Sequence, residues 1–230
     1  MLELYGSKSK SVPQKITITL IELALIGLSA WIMFGSGGPL IANLVDWSLP
    51  ATTPTRYGVI LAFNIVILLR MGFMMFYLMK RTLPWSEAFA VPAAFALYYV
   101  GFAILVLPND APLGMVDYAA IALFALGCLL NTWSELQRHV FKQDPANKGK
   151  LYTGGLFAYS MHINFFGDIV WVGAYALIAG HWLGAAIPLM LFCTFAFYNV
   201  PLLDAYLRDR YGEPFEAYEA RTKKLIPFIY

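Results

Sequence analysis

Charge is what this chain is short of. Asp, Glu, Lys and Arg make up 13% of its 230 residues, about half the share in an ordinary soluble domain. So little charge argues against a soluble globule, and a mean hydropathy of +0.63 points to a multi-span membrane protein. The net charge of +2 points away from a nucleic-acid partner. Cysteine is scarce too: Cys128 and Cys193 each lie in an apolar run. They read as small buried hydrophobes, with no disulfide framework and no metal spacing. The chain has no Gly-x-Gly-x-x-Gly fingerprint, no Gly-Lys-Ser phosphate loop and no His-Glu-x-x-His zinc motif. A nucleotide cofactor would therefore have to bind within a bundle of helices.

What the chain has in quantity is long apolar runs. A helix needs about 20 apolar residues to cross a bilayer. Six segments qualify, 16–34, 58–79, 88–107, 116–136, 156–179 and 183–203. The expected fold is all-α, one membrane-embedded domain of about six spans. The run after the basic N-terminus (Met1 to Lys15) is too long for a cleaved signal peptide and lacks a small-residue cleavage site. Loop 35–57 is rich in Gly, Pro and Thr, with a short apolar patch at 39–45. The link Gly180-His-Trp makes the last two spans a tight hairpin.

Charge placement sets the expected orientation. Lys8, Lys10 and Lys15 precede the first span. Lys80 and Arg81 follow the second, Arg138, Lys142, Lys148 and Lys150 the fourth, and Arg208, Arg210, Arg221, Lys223 and Lys224 the sixth. Fourteen of the sixteen Lys and Arg thus fall on one side. The other side carries Asp46, Asp110 and Asp117, with Arg56 as its one base. The positive-inside rule then puts both termini in the cytoplasm, which an even number of spans satisfies. The tail 204–230 is charged, with Tyr211, Phe215 and Tyr218 at helical spacing. It reads as a cytoplasmic amphipathic segment that lies on the membrane or folds over a pocket mouth.

Polar residues inside the spans are expensive and mark function or helix–helix contacts. Glu22 sits in the middle third of the first span. It must be protonated, paired or facing a cavity, and as an acid it suits hydrogen bonding to a bound carbonyl. Asn64 on the second span is a neutral donor that would sit beside it, or the two bond only to join their helices. Arg70 either snorkels or pairs with Glu22, Glu135, Asp168 or a phosphate. Asn131 and Glu135, spaced i, i+4, share a helix face, and Asn164 and Asp168 repeat the spacing on the fifth span. The basic loop between them (Arg138, His139, Lys142, Lys148, Lys150) attracts anionic lipid or holds cofactor phosphates. Asp144-Pro-Ala-Asn is a turn, and Gly154-Gly155 fits close backbone approach to a ligand or a helix start. The stretch 148–168 reads as a cofactor cradle. His162 within it has no assigned role.

Three blocks carry a family resemblance: Thr153-Gly-Gly-Leu-Phe-Ala-Tyr, then His162-Ile-Asn-Phe-Phe-Gly-Asp168, then Leu225-Ile-Pro-Phe-Ile-Tyr230. Together they resemble the C-terminal domain of steroid 5α-reductases. The middle block is also similar to the sterol C14 and C7 reductases, and Gly127-x-x-x-Asn131-x-x-x-Glu135 to a further polar motif of the steroid enzymes. The match covers roughly 126–230, which sets a cofactor-binding half apart from substrate-side helices in 1–125. The resemblance implies NADPH-dependent reduction of a C=C bond conjugated to a carbonyl in a lipophilic substrate. It places Asn131, Glu135, Lys142, Lys150, Asn164, Asp168 and Tyr211 at cofactor-contacting positions, with Arg81 a further basic residue on that side. Lys142 and Lys150 stand where the family tends to have arginine, which keeps charge and loses bidentate geometry. Glu22 matches the family's ketone-binding Glu. Its tyrosine partner on the next helix has no counterpart in 58–79, where Ile67 falls nearest and Asn64 about one turn away. The six-span count implies that the family's first span is absent.

A related family, the isoprenylcysteine and phospholipid methyltransferases, gives the alternative of S-adenosylmethionine-dependent methyl transfer. The tail Tyr211-Gly-Glu-Pro-Phe-Glu-Ala-Tyr218 is similar to theirs. Their Arg-His-Pro is altered here to Met161-His162-Ile163, and their acidic pair to Leu203-Asp204.

Overall fold

The computed structural model describes residues 9–230; Lys8 lies outside them. Among the described residues the chain is helical, with no β-strand. Five helices among the described residues are long and apolar enough to cross a membrane: α1 (Val12–Phe34), α3 (Thr55–Leu78), α4 (Trp85–Leu105), α5 (Met115–Gln143) and α7 (Trp182–Tyr211). The short helices are α2 (Gly37–Val45), α6 (Ile163–Ala179) and α8 (Glu213–Glu219). This is a multi-pass membrane helix protein, and five of the six expected spans fall on the long helices.

The fifth segment differs. Helix begins only at Ile163, and α6 has 17 residues, about 25 Å at the helical rise and short of the roughly 30 Å apolar core. Residues 156–162 are held otherwise. Gly155 has φ 57°, and a 3₁₀ turn covers Gly155–Ala158. The N–H groups of Met161 and His162 donate to the carbonyls of Lys223 and Lys224 at 2.8 and 2.9 Å. Ser160 Oγ donates to the carbonyls of Lys224 and Leu225. The tail takes the backbone donors of Met161 and His162 and the hydroxyl of Ser160, Leu156 N donates to Gln137 Oε1, and Phe157 N and Tyr159 N close the local turn, so this apolar sequence does not become α-helix.

Several long helices carry a π-turn: Met74–Leu78 ends α3, Leu97–Gly101 interrupts α4, and Phe195–Asn199 interrupts α7. In α4 the turn starts five residues after Pro92, an internal proline without an N–H to donate.

The chain divides into two compact units, 1–124 with 172–187, and 125–171 with 188–230. Residues 172–187 group with the first unit, unlike in the division expected at 125/126.

The first unit has an apolar cluster of Ile18, Met75, Leu83 and Ala88. Phe63 stacks on Phe124 at 3.7 Å and meets Tyr175 edge-on. Arg56, at the start of α3, is buried rather than a loop base at the surface. Its Nη1 and Nη2 donate to Asp117, with Nη2–Oδ2 at 2.8 Å. The same guanidinium donates to the carbonyls of Ala111, Pro112 and Ile178, and Asp117 Oδ2 accepts from Gly114 N at 2.7 Å. All five guanidinium donors are thus used.

In the second unit α7 ends at Tyr211, and the chain turns at Gly212 (φ 57°) into α8. The tail docks instead of running on as one helix. Phe215 and Tyr218 bury against Met161, and Tyr218 Oη donates to the Phe157 carbonyl at 2.5 Å. Burial pushes the Tyr218 phenol well above its usual range. Glu219 accepts from Arg208 at 2.6 Å and pairs with Lys224 at 3.0 Å. The Arg208 hydrogen bond, ahead of the Lys224 contact, holds its carboxyl below the ordinary value.

Candidate active site

Two glycines set the geometry of the polar cradle. A Cβ on Gly127 of α5 would stand 2.5 Å from Trp171 N and 2.6 Å from Gly167 O; one on Gly167 of α6 would stand 2.7 Å from Asn131 N. The helix backbones touch, in the small-residue manner of membrane helix pairs. That contact brings the two Asn-x-x-x-acid pairs together. Asn131 Nδ2 donates to Asp168 Oδ1 at 2.9 Å and to the Asn164 carbonyl at 3.1 Å. Asn164 Nδ2 donates to Glu135 Oε1 at 2.9 Å, and Trp171 Nε1 donates to Asp168 at 2.7 Å. Asn131, Glu135, Asn164 and Asp168 thus form one hydrogen-bonded network. For Gly127→Ala we expect a stability loss of about 1–3 kcal/mol from overpacking together with weaker nucleotide binding. Thermal unfolding and ligand titration of the solubilised protein check both, and a lower melting temperature with unchanged binding would separate the crossing from the cradle.

Beyond the network the character turns basic. Glu135 accepts from Arg138 at 2.6 Å, and the Arg138 guanidinium lies over the Phe157 ring at 5.3 Å. Lys142 is in electrostatic reach of Arg138, Arg210 and Glu135. Lys150 and Tyr211 line a cavity of about 410 Å³, with Arg210 and Arg221 also in its wall. Arg81 is placed differently. It belongs to the first unit, and its guanidinium is committed to Glu87 at 2.5 and 3.1 Å. His162 is buried, and its Nε2 meets Asp204 Oδ1 at 2.8 Å. Lys224 reaches Asp204 Oδ2 at 3.0 Å. His162 therefore ties α7 and the tail to the start of α6.

In the first unit Glu22 is fully buried, and neither carboxyl oxygen has a hydrogen-bond partner among the described residues. The structure does not bring Asn64 to it. Asn64 Nδ2 donates to Ser29 Oγ at 3.0 Å, and Asn64 Oδ1 accepts from Tyr175 Oη at 2.9 Å. Ser29 lies seven residues from Glu22, about two helical turns, and Asn64 joins three helices instead. The group near Glu22 that the sequence reading missed is Tyr99. It is fully buried, its hydroxyl has no hydrogen-bond partner among the described residues, and it feels the charges of Glu22 and Arg70. It lies within the Leu97–Gly101 π-turn of α4, a distortion frequent at functional sites. The sequence held a signal, since Tyr98-Tyr99 puts two phenols inside an apolar run.

A family described as "Protein of unknown function (DUF1295)" matches residues 76–222. The chain belongs to this family. DUF1295 is in turn part of the steroid 5α-reductase family. The matched region takes in Tyr99, Arg81 and every cofactor-side residue named above, but not Glu22, Asn64 or Arg70. The chain is 31% identical over 143 residues to the Delta(14)-sterol reductase erg24 of Schizosaccharomyces pombe, covering 53% of this chain and 32% of that protein. It is 32% identical over 111 residues to the human 3-oxo-5-alpha-steroid 4-dehydrogenase 2, covering 48% and 41%. It is 38% identical over 89 residues to the probable O-methyltransferase ustE of Ustilaginoidea virens, covering 38% and 31%. The chain thus spans about a third to two-fifths of the length of these relatives.

Proposed function

We propose that this DUF1295 protein is a membrane-embedded, NADPH-dependent reductase of a C=C bond conjugated to a carbonyl, acting on a lipophilic substrate of steroid-like or isoprenoid type. The observation that carries this reading is the fully buried Glu22, whose carboxyl oxygens have no hydrogen-bond partner among the described residues. A buried polar group without a partner costs stability, and a substrate carbonyl is the partner that suits an acid there. The sterol and steroid reductase relatives support the same reaction.

The donor set of the second unit fits the cofactor: amides and carboxylates for ribose and nicotinamide, cations for phosphate. Asn131, Glu135, Asn164, Asp168 and Tyr211 would hold it, with Lys142 and Lys150 on its phosphates. Arg81 would take part only by releasing Glu87. Bound NADPH supplies the hydride that reduces the double bond at its β-carbon. Glu22, in its acid form, donates a hydrogen bond to the carbonyl oxygen, and Tyr99 donates a second. Both stabilise the negative charge that builds on that oxygen as the enolate forms, and a proton taken up from water at the α-carbon completes the saturated carbonyl product. Asn64 holds Ser29 and Tyr175 in place and so acts as a positioning residue. The excess of Lys and Arg on the loops supports a cytoplasmic cofactor side and cytoplasmic termini through the positive-inside rule.

The methyltransferase alternative rests on the 38% identity to ustE and on the 211–218 tail. Mass spectrometry of what co-purifies with the solubilised protein, and NADPH oxidation with a panel of enone lipids, separate the two. We expect bound NADP(H) and enone-dependent oxidation. Methyl transfer from S-adenosylmethionine with no oxidation on any enone overturns the reductase reading.

A further inference from the structure

The loop 225–230, in the second unit, closes on itself. Leu225 N and Ile226 N both donate to the Tyr230 carbonyl at 2.6 Å, and Ile229 N and Tyr230 N donate to the Ile226 carbonyl at 3.1 and 3.0 Å. Pro227 has no N–H to offer. Phe228 stands at φ 66°, a region that bulky residues seldom enter. The loop leaves the large side chains of Phe228 and Ile229 77% and 73% exposed. Tyr159, itself exposed, meets the Phe228 ring edge-on at 5.9 Å. A closed loop thus presents an apolar tip, with a phenol beside it.

The place of this tip in the fold follows from the bonds of residues 223–225 to Ser160, Met161 and His162. Those three residues come directly before Ile163, where α6 starts. α6 falls short of the apolar core by roughly 5 Å, so the tip stands at a bilayer boundary. Backbone that meets lipid has to bond to itself, and this loop does so with four of its N–H groups. Aromatic rings with a polar end, such as Tyr159, suit the headgroup level. Arg221 and Lys223 lead into the loop. Both are exposed, and both lie outside the ion pairs of the tail, which engage Arg208 and Lys224. Cations at this level attract anionic headgroups. We propose that loop 225–230 is a membrane finger: Phe228 and Ile229 enter the leaflet in which α6 starts, and Lys223 and Arg221 meet anionic lipid beside them. The bonds to residues 160–162 pass this anchorage directly to the start of α6, so the bilayer holds the tail in its docked position. The finger stands whether or not the protein is a reductase.

The test is spin-label accessibility on the full chain in phosphatidylcholine bilayer discs, with and without phosphatidylglycerol. Cys128 and Cys193 are first replaced by alanine, and a nitroxide is placed at Phe228→Cys or, separately, at Ile229→Cys. Both positions are exposed, so the labels should leave the fold intact, and thermal unfolding of each labelled protein checks that. We expect both labels to collide more often with oxygen, which concentrates in lipid, than with a water-soluble nickel chelate. Phosphatidylglycerol should shift that balance further toward oxygen, and Lys223→Gln should reduce the shift. Labels that meet the nickel chelate more often than oxygen lie in water and overturn the finger. Labels shielded from both reagents, with spin–spin coupling between chains, make the tip an interface between two copies and also overturn it. An oxygen balance that ignores phosphatidylglycerol overturns the pairing with anionic lipid.

Discussion

Glu22→Leu should make the protein more stable and nearly inactive. The carboxyl is fully buried and has no hydrogen-bond partner among the described residues, so its desolvation cost is offset by no hydrogen bond and only by the nearby charge of Arg70. Removing an unsatisfied polar group of this kind gains about 1–3 kcal/mol, and leucine fills a similar volume. The same side chain is the proposed donor to the carbonyl oxygen, and loss of one oxyanion donor costs about 10²–10³ in kcat. Stability and activity therefore move in opposite directions, as is common where a site is held in an unfavourable state for function. Glu22→Gln, which retains a neutral donor, should keep more activity than the leucine variant. Tyr99→Phe should lower kcat while leaving NADP⁺ affinity unchanged. Thermal unfolding in detergent and single-turnover NADPH oxidation with an active enone measure the two effects. A leucine variant that is less stable than the parent would mean that Glu22 is bonded within the fold, and the substrate role would fall.

Arg56→Met should give the largest loss of stability. It leaves Asp117 buried without its cation and frees three backbone carbonyls. Breaking one side of a buried ion pair costs about 3–5 kcal/mol. Replacing both partners by apolar groups is far milder, because no buried charge is then left alone. The double variant Arg56→Met with Asp117→Leu should therefore recover much of the loss. Chemical denaturation of the four proteins in a double-mutant cycle tests this, and an additive double variant would show that the two residues act independently.

Composition was enough to read a helical membrane protein and to place five long helices to within four residues at every end except the C-terminal ends of α5 and α7, which run on seven and eight residues into polar sequence, because apolar length sets a span and not the helix that continues it. The fifth segment misled for a physical reason. Residues 156–162 are apolar enough for helix, but residues 223–225 take the donors of Ser160, Met161 and His162, and those acceptors lie some 60 positions downstream. The i, i+4 pairs Asn131/Glu135 and Asn164/Asp168 could be read because helical spacing fixes which residues share a face. That they meet depends on Gly127 and Gly167, whose close approach the sequence only hints at. Asn64 was paired with Glu22 on residue type alone, whereas interhelical distance gives it to Ser29 and Tyr175. Tyr99 escaped notice because an aromatic in an apolar run looks like core until its hydroxyl is found without a partner. Arg56 was legible as a charge but not as a clamp, since burial is not written in hydropathy.

The π-turn that carries Tyr99 has a consequence for phase. A helix that takes in one extra residue at Leu97–Gly101 rotates everything beyond that point by about 100° relative to an unbroken α-helix. The faces of α4 before and after the turn are therefore out of step. Deleting one residue within 97–101 would bring them back into step at the expense of the buried orientation of Tyr99. In lineages of this fold, single-residue insertions and deletions at this point would act as a switch on the site, where elsewhere in a span they would only scramble its packing.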